Sequence, residues 1–388
     1  LNQLLLRPGR ERRVRGGHPW VFSNEIADLP ADLPPGTAVE IRTASHAYLG
    51  SGYFNPHSLI AARILSRSGE EIDRPEFYLR RIERATAHRR RLYGRLDGVR
   101  LVHGEADGLP GLIVDAYGEV LSVQFLTWGI DCRRELILQV LEELFQPRAI
   151  VARNDVAVRE LEGLEQRVEL LAGQLPEPVL FREGDLTFRA DLLGGQKTGA
   201  FLDQKENHQA LRGRVEGGRV LDLFCYAGGW SLHAASFGAT SVTGVDISAA
   251  AVALAAENAR RNGLEGTCRF ERGDVFERLR QPGAGYDTVI LDPPAFVKSR
   301  KKLPEAIRGY LTVNRRAMEQ VLPGGHLVTC SCSHHLDRET FLGLLRQAAR
   351  QAGREARLLE VRGQALDHPV LLSCPETEYL KCVILQLL

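Results

Sequence analysis

From about residue 219 onward, apolar strand-like runs alternate with helix-like stretches, and that alternation constrains the fold more than any other feature of the chain. Val220-Leu-Asp-Leu-Phe224 precedes a helix from about Gly229, and Ser241-Val-Thr-Gly-Val-Asp246 precedes one from about Ala249. Cys268-Arg-Phe270 and Asp287-Thr-Val-Ile-Leu291 are further strands, with helices near 305–321 and 337–352, and the chain finishes on Tyr379-Leu-Lys-Cys-Val-Ile-Leu-Gln386. Regular strand–helix alternation predicts a doubly wound, mostly parallel α/β sheet. In such a sheet, ligands collect beyond the carboxyl ends of the strands, so functional residues are expected there.

At 388 residues the chain is too long for one ordinary core, and three regions separate. Residues 1–70 alternate short apolar runs with Gly, Pro and Asn turns, among them Gly16-Gly17-His18-Pro19, Pro34-Pro35-Gly36 and Gly50-Ser-Gly-Tyr-Phe-Asn-Pro56; that spacing predicts a small β-barrel or sandwich. Residues 71–185 open with an arginine-rich helix at about 75–95. Strand-like Gly111–Asp115, Val120–Phe125 and Ala149–Ala152 then flank a helix near 131–145, which predicts a central α+β domain. A Pro-rich joint, Leu175-Pro-Glu-Pro-Val179, precedes the last domain, 186–388.

Net charge is only +1, but Arg81, Arg84, Arg89, Arg90, Arg91 and Arg95 crowd one stretch against Glu83 and Asp97. A solvated helix face and a phosphate-contacting surface both fit this pattern, and charge alone leaves both open. Hydrophobic content of 44% and charged content of 26% describe a soluble globular protein, and no apolar run is long enough to cross a bilayer. The start, Leu-Asn-Gln-Leu-Leu-Leu-Arg, lacks the layout of an export signal. Seven scattered cysteines do not suggest a disulfide framework, so a reducing cytoplasm is expected.

The first chemical constellation is Val220-Leu-Asp-Leu-Phe-Cys-Tyr-Ala-Gly-Gly-Trp-Ser231. A strand ending at Asp222 meets Gly228-Gly229, which permit a tight turn and close approach of a ligand to backbone. This is neither the Gly-x-Gly-x-x-Gly phosphate fingerprint nor a Walker loop. Asp246 ends the second strand about twenty residues later, where an acid can bind ribose hydroxyls. Asp274 closes the third, although alone it reads equally well as a helix cap. Three acids closing three successive strands suit a ligand with an ammonium group, a ribose and an adenine amine. These residues resemble class I S-adenosylmethionine-dependent methyltransferases, over about 219–388. The resemblance makes Asp222 to Gly229 the loop that cradles the methionine part, Asp246 the ribose acid and Asp274 the adenine-side acid.

The second constellation, Leu291-Asp-Pro-Pro-Ala-Phe296, follows the fourth strand. Proline fixes its own φ and biases its predecessor toward extended geometry, so Asp292 and Pro293 are held stiffly. A rigid carboxylate there can hydrogen-bond a flat, amine-bearing base; the bland alternative is a structural turn with a capping Asp. The pattern resembles the base-handling motif of methyltransferases acting on nucleic-acid amines and on cytosine carbon.

The third is His326-Leu-Val-Thr-Cys-Ser-Cys-Ser333, a strand that opens into Cys330 and Cys332. Thiolate nucleophile, buried hydrophobe and metal ligand are all open readings of such a pair. Metal is disfavoured because no second cysteine pair completes a zinc site. Carbon 5 of cytosine is a poor nucleophile. A thiolate adding to carbon 6 makes it enamine-like, whereas amine methylation requires no thiol. A cysteine beside Asp292 therefore separates carbon from nitrogen methylation. Asp292 would assist by hydrogen-bonding ring nitrogen 3. Residues i and i+2 of a strand share a face, so spacing does not choose between the two sulfurs. His334 and His335 follow, as loop or cap residues or as helpers in deprotonating the thiol.

Several stretches together resemble bacterial large-subunit ribosomal RNA cytosine-5-methyltransferases of the RlmI type. They are Gly194-Gly-Gln-Lys-Thr-Gly-Ala-Phe-Leu-Asp-Gln-Lys-Glu-Asn207, Cys332-Ser-His-His335, Asp367-His-Pro-Val370, Pro375-Glu-Thr-Glu-Tyr-Leu-Lys381, His103-Gly-Glu-Ala-Asp-Gly-Leu-Pro-Gly-Leu112 and Gly17-His-Pro-Trp-Val-Phe22. The last resembles the start of an RNA-binding PUA domain. The resemblance spans nearly the whole chain. It implies a Rossmann-like seven-stranded methyltransferase domain behind a PUA-like barrel, S-adenosylmethionine as cofactor and ribosomal RNA as partner. It also implies Cys332 as nucleophile with Asp292 as its catalytic companion. Cofactor contacts are implied for Phe201, Asp203, Gln204, Asp222, Phe224, Tyr226, Ala227, Gly228, Gly229, Asp246, Ile247, Ser248, Asp274, Val275, Asp292 and Pro293, with no metal. Many RNA cytosine methyltransferases carry a second cysteine directly after Asp-Pro-Pro for product release. Here that residue is Ala295, an absence shared by RlmI-type enzymes, so the releasing base is unassigned.

The expected activity is thus formation of 5-methylcytosine in large-subunit ribosomal RNA. The rivals are an RNA amine or guanine methyltransferase using Asp292 alone, and a noncatalytic RNA-binding assembly factor. A dehydrogenase is a weaker contender, lacking the pyrophosphate glycines. Oligomeric state is open, with a homodimer one option.

Overall fold

The computed structural model describes all residues except 1, 31, 282–284 and 297–302. The chain divides into two compact units. The first comprises Leu1–Arg182, Ala190–Leu202 and Leu366–Thr377, the second Glu183–Arg189, Asp203–Ala365 and Glu378–Leu388.

The first unit begins with β1 (Asn2–Leu5), the short helix α1 (Arg12–Arg15), β2 (Trp20–Val21), β3 (Thr37–Arg42), β4 (Tyr48–Phe54) and β5 (Ala62–Ser66). These strands form one sheet in the order β1-β3-β4-β5-β2, parallel only between β1 and β3. Leu4, Leu6, Val39, Ile41, Phe54 and Ile64 fill its core. Next come α2 (Pro75–Tyr93), β6 (Val99–His103), β7 (Leu112–Tyr117), β8 (Val120–Phe125), α3 (Trp128–Asp131), α4 (Arg134–Phe145), β9 (Ala149–Arg153), α5 (Val158–Leu161) and β10 (Val168–Gly173). Their strands make a second sheet, β10-β9-β8-β7-β6. Phe77, Tyr78 and Ile82 of α2 and Ile137, Val140 and Leu141 of α4 share a core with Leu101, Val114 and Val123.

Helix α2 is the expected arginine-rich helix, started by Pro75 in the first turn and ended by Gly94 at φ +70°. Its arginines do not act as one surface. Arg89 is fully buried and holds the Asp107 carboxylate through two bonds of 2.7 and 2.8 Å. Arg81 pairs with Glu70 and lies 3.7 Å over the Phe77 ring. Arg84, Arg90 and Arg91 are exposed, as is Arg95 just past the end of the helix. A buried bidentate pair fixes geometry, because removing either partner would strand a charge in the interior.

β11 (Val179–Glu183) and β12 (Leu186–Ala190) pair as a two-stranded ribbon. The second unit continues through α6 (Lys205–Gln209), β13 (Arg219–Leu223), α7 (Gly229–Ser236), β14 (Ser241–Asp246), α8 (Ala249–Arg261), β15 (Cys268–Arg272), α9 (Val275–Arg278), β16 (Tyr286–Leu291), α10 (Leu303–Gln320), β17 (Val321–Ser331), α11 (Arg338–Gln351), β18 (Ala356–Arg362) and β19 (Lys381–Leu387). Seven strands lie in the order β15-β14-β13-β16-β17-β19-β18. All neighbours are parallel except β19, which runs antiparallel to β17 and β18. Leu221 and Leu223, Val289 and Leu291, and Leu327 point alternate residues into a core with Val313, Met318, Phe341 and Leu345. The chain winds outward from β13 to β15, then returns to lay β16 on β13's other side. That reversal opens a crevice at the carboxyl ends of β13 and β16, where open α/β sheets bind ligands.

Candidate active site

The loop after β13 is sharply bent. Phe224, Tyr226 and Gly228 have φ of +64°, +45° and +84°. Left-handed geometry at two aromatic residues is strained and persists only when neighbours over-determine it. Here Phe224 N and Cys225 N donate to Val245 O, Tyr226 N donates to Asp246 Oδ2 at 3.0 Å, and Asn258 Nδ2 donates to Ala227 O at 3.0 Å. At Gly229 a Cβ would stand 2.8 Å from the His208 ring, so only glycine fits.

The three acids behave differently. Asp222, expected to end its strand, lies one residue inside it and is fully buried. Ser231 Oγ donates to its Oδ2 at 2.6 Å, while Oδ1 has no partner among the described residues. Burial pushes its pKa up to about 7; the Ser231 bond opposes that, and nearby Asp292 adds to it. Asp246 accepts from backbone at both oxygens, from Tyr226 N and from Ser248 N at 2.9 Å. Ser248 in turn caps α8, and Ile247 between them is 65% exposed, an apolar side chain held out beside the acid. Asp274 lies beyond the end of β15 and caps α9, accepting from Glu277 N at 3.0 Å, while the Val275 side chain is core.

Asp292 follows β16, and its backbone N donates to Leu223 O at 3.3 Å. Two side chains from distant segments converge on its Oδ2: Gln204 Nε2 at 2.9 Å and Trp230 Nε1 at 3.0 Å. Asn207 donates to Gln204 Oε1 at 2.7 Å and so fixes which end of the amide faces Asp292. Asp203 accepts from the Tyr379 hydroxyl at 2.7 Å, and its carbonyl accepts from Ala365 N. Phe201 belongs to the first unit, where Lys197 Nζ lies 4.2 Å over its ring.

Next to β16, β17 carries Cys330 and leads directly into Cys332. Cys330 is 0% exposed and opposite Cys382 of β19. Burial above all, then Cys382 and Asp292, push its thiol well up. The expected shared face does not extend to Cys332, because β17 ends at Ser331. Cys332 sits in the following turn, half-buried, between Ser331 and Ser333, whose hydroxyls bond Tyr310 Oη at 3.1 and 3.0 Å. His334 and His335 are exposed, the His334 ring 5.7 Å from that of Tyr379.

Sequence reasoning missed Trp230 as a partner of Asp292, and it missed Lys381, whose Nζ donates to Ser333 O at 2.7 Å. It also missed a buried cluster in which His208 Nδ1 lies 2.5 Å from Glu183 Oε1 and the His208 and His233 rings stack at 5.0 Å. Burial opposes charge on His208, but Glu183, Asp292 and Asp222 outweigh it and raise its pKa. The His208 ring lies behind the acids, edge-on to the Trp230 ring at 4.7 Å.

The residues at the switch point suit a cationic nucleoside. Asp222 offers an unsatisfied buried oxygen, Gly228-Gly229 leave backbone approachable, and Ile247 offers an exposed apolar surface beside Asp246. Fold and site together define a methyltransferase that uses S-adenosylmethionine. Residues 109–364 match the S-adenosylmethionine-dependent methyltransferase family and residues 4–67 a PUA-like domain. A ribosomal RNA large subunit methyltransferase I from Aeromonas hydrophila is 40% identical over 97% of each chain, and one from Pseudoalteromonas atlantica 38% over 100% of each. A solved structure of a candidate SAM-dependent methyltransferase from Streptococcus mutans superposes with a TM-score of 0.84, covering 100% of both chains at 21% identity. The chain belongs to the ribosomal RNA large subunit methyltransferase I family, and S-adenosylmethionine is its cofactor. No helix among the described residues is long and apolar enough to cross a membrane.

Proposed function

We propose that the protein methylates carbon 5 of a cytosine in large-subunit ribosomal RNA through a covalent bond to Cys332. The observation that carries this reading is that Asp292 and Cys332 both follow the carboxyl ends of neighbouring parallel strands, β16 and β17, whose register pairs Leu291 with Thr329. Amine methylation, the nearest rival, gives no role to a half-buried cysteine at the same edge of the sheet as that carboxylate. The names of the relatives supply the class of RNA.

Bound S-adenosylmethionine supplies an electrophilic methyl group on sulfur. On this reading Asp222, Asp246 and the Phe224–Gly229 loop would hold it, together with Ile247, Ser248, Asp274, Val275, Asp203, Gln204 and Pro293. Gln204 and Trp230 orient Asp292 toward nitrogen 3 of a cytosine drawn out of any stack. The Cys332 thiolate then adds to carbon 6, and the electron pair released into the ring lets carbon 5 take the methyl. Loss of the carbon-5 proton and breakage of the carbon–sulfur bond restore the aromatic ring and the thiolate. The PUA-like domain and the exposed arginines of α2 supply sequence-independent contacts to phosphates.

The test is RNA containing 5-fluorocytosine, whose fluorine cannot leave as a proton does. Wild-type protein should form a denaturation-resistant adduct with it, and Cys332→Ala should form none while still binding S-adenosylmethionine in calorimetry. Full turnover of natural RNA by Cys332→Ala would sink the covalent route.

A further inference from the structure

Methyl transfer leaves a hydrogen on carbon 5 that a base must remove, and the residue after Asp292-Pro-Pro is Ala295, which has no basic group. Lys381 is the first residue of β19 and pairs with Ser331, next to Cys332. Its side chain is only 5% exposed. Nζ donates to Ser333 O at 2.7 Å and to Tyr379 O at 2.9 Å, which holds the amine against the residue that follows the thiol. An ammonium group has three N–H donors, and the third has no acceptor among the described residues. A neutral amine has two, so both carbonyls are satisfied and one lone pair is left over. The surroundings are thus complete for the form that can accept a proton.

We propose that Lys381 is the base that takes the carbon-5 proton and so releases the methylated RNA. This rests on the cytosine-5 reading above. With the ring between thiol and methyl donor, the incoming methyl turns the carbon-5 hydrogen toward the face bearing sulfur, the side of Cys332 and Lys381.

The charges also follow the right order. Burial draws the Lys381 pKa down to about 8, and the Cys332 sulfur is the largest opposing influence, ahead of Glu378 and Asp337. Of the other titratable groups nearby, His334 and His335 follow Cys332 in the same turn, and the Lys381 charge helps to lower the pKa of His334. While Cys332 is a thiolate it favours the ammonium form. Once sulfur is bonded to carbon 6 that negative charge is gone, and the ammonium gives a proton to water. The free amine then accepts the carbon-5 proton. The C–H pair becomes the carbon 5–carbon 6 double bond, the carbon–sulfur pair returns to sulfur, and the ammonium–thiolate pair is restored. One proton reaches water per methyl transferred, which balances loss of the sulfonium charge.

Lys381→Arg keeps a positive charge beside the thiol but cannot yield its proton at working pH, and Lys381→Met is the smaller alternative should arginine not fit. With natural cytosine RNA and S-adenosylmethionine, either variant should accumulate a denaturation-resistant, methylated protein–RNA adduct absent from wild type. Turnover should fall by about 10²- to 10⁴-fold, the range for a positioned base. With 5-fluorocytosine RNA, whose trapping needs no base, both should form adduct as wild type does. Natural-RNA turnover within threefold of wild type and no accumulated adduct would overturn the assignment. So would variants that bind S-adenosylmethionine yet fail to trap 5-fluorocytosine RNA, because Lys381 would then act on thiol addition. Failure of wild type itself to trap that RNA is a separate result, against the cytosine-5 chemistry.

Discussion

Replacing Trp230 with phenylalanine should separate orientation of Asp292 from everything else in the crevice. Asp292 Oδ2 receives two hydrogen bonds, one from Gln204 and one from the Trp230 indole N–H at 3.0 Å. Phenylalanine keeps an aromatic ring edge-on to His208 but deletes the donor. A hydrogen bond to a charged group contributes about 1.5–3 kcal/mol. If that bond holds the carboxylate where a substrate base must meet it, the whole amount falls on the transition state. At about 1.4 kcal/mol per decade, kcat/KM should drop roughly 10- to 150-fold. Transfer of a labelled methyl to a ribosomal RNA fragment reads this, with calorimetry of S-adenosylmethionine binding and a thermal melt as controls for cofactor site and fold. A cycle with Asp292→Asn should show coupling of similar size, because both changes act through one contact. Trp230→Phe activity within threefold of wild type, with cofactor affinity unchanged, would rule out this role for the indole N–H.

The two cysteines should differ in kind. Cys330→Ala removes a buried sulfur and should lower unfolding stability by about 1–2 kcal/mol in urea titration, with turnover kept within a few-fold; a loss as deep as that of Cys332→Ala would contradict the division. Asp222 gives a pH signature. Its pKa of about 7 means the free protein carries a proton there at pH 6. A ligand ammonium needs the carboxylate, so S-adenosylmethionine affinity should weaken about tenfold per unit below pH 7 and level off above it. Asp222→Asn should flatten that profile in calorimetry. For folding the sign is opposite: a carboxyl raised in the folded state contributes stability present below the ordinary carboxylate range and lost as pH rises through about 7.

The strands β13 to β16 were legible because each is a short run that contains an acid at its end or is followed by one, and α8, α9 and α11 were because each opens on a capping side chain. Ser248 accepts from Ala251 N and Asp337 from Thr340 N, both three residues on. The direction of β19 was not legible, since Cys382–Leu385 is an unbroken apolar run and its pairing with both β17 and β18 depends on where the preceding loop delivers it. Arg89 was also misleading. In the sequence it is one more basic residue in a run, but a carboxylate eighteen positions later draws it inside. The same holds for Asp292, where motif and rigidity were readable but its partners come from a loop 88 residues upstream and a helix 62 residues upstream. No spacing rule connects them, because sheet topology alone brings them together.

Cys330 and Cys332 show most directly what topology adds to pattern. Two residues apart on a strand, they would present both sulfurs to the same environment, and chemistry could not tell them apart. The strand ends between them. Pairing with β19 keeps Cys330 inside the ladder, one residue past the last β16 partner, and Cys382 and Asp292 lie near a fully buried sulfur. A thiol there resists ionisation and has no room for an incoming ring. One residue past the ladder, the chain turns, Lys381 holds the next carbonyl, and Cys332 is partly open to solvent. A nucleophile must be accessible, and of the two sulfurs Cys332 is the one partly open to solvent, with the Lys381 amine held against the next residue. The proposed choice of Cys332, which resemblance suggested, is supported by this difference in burial, in which the end of one strand separates a packing residue from a candidate for catalysis.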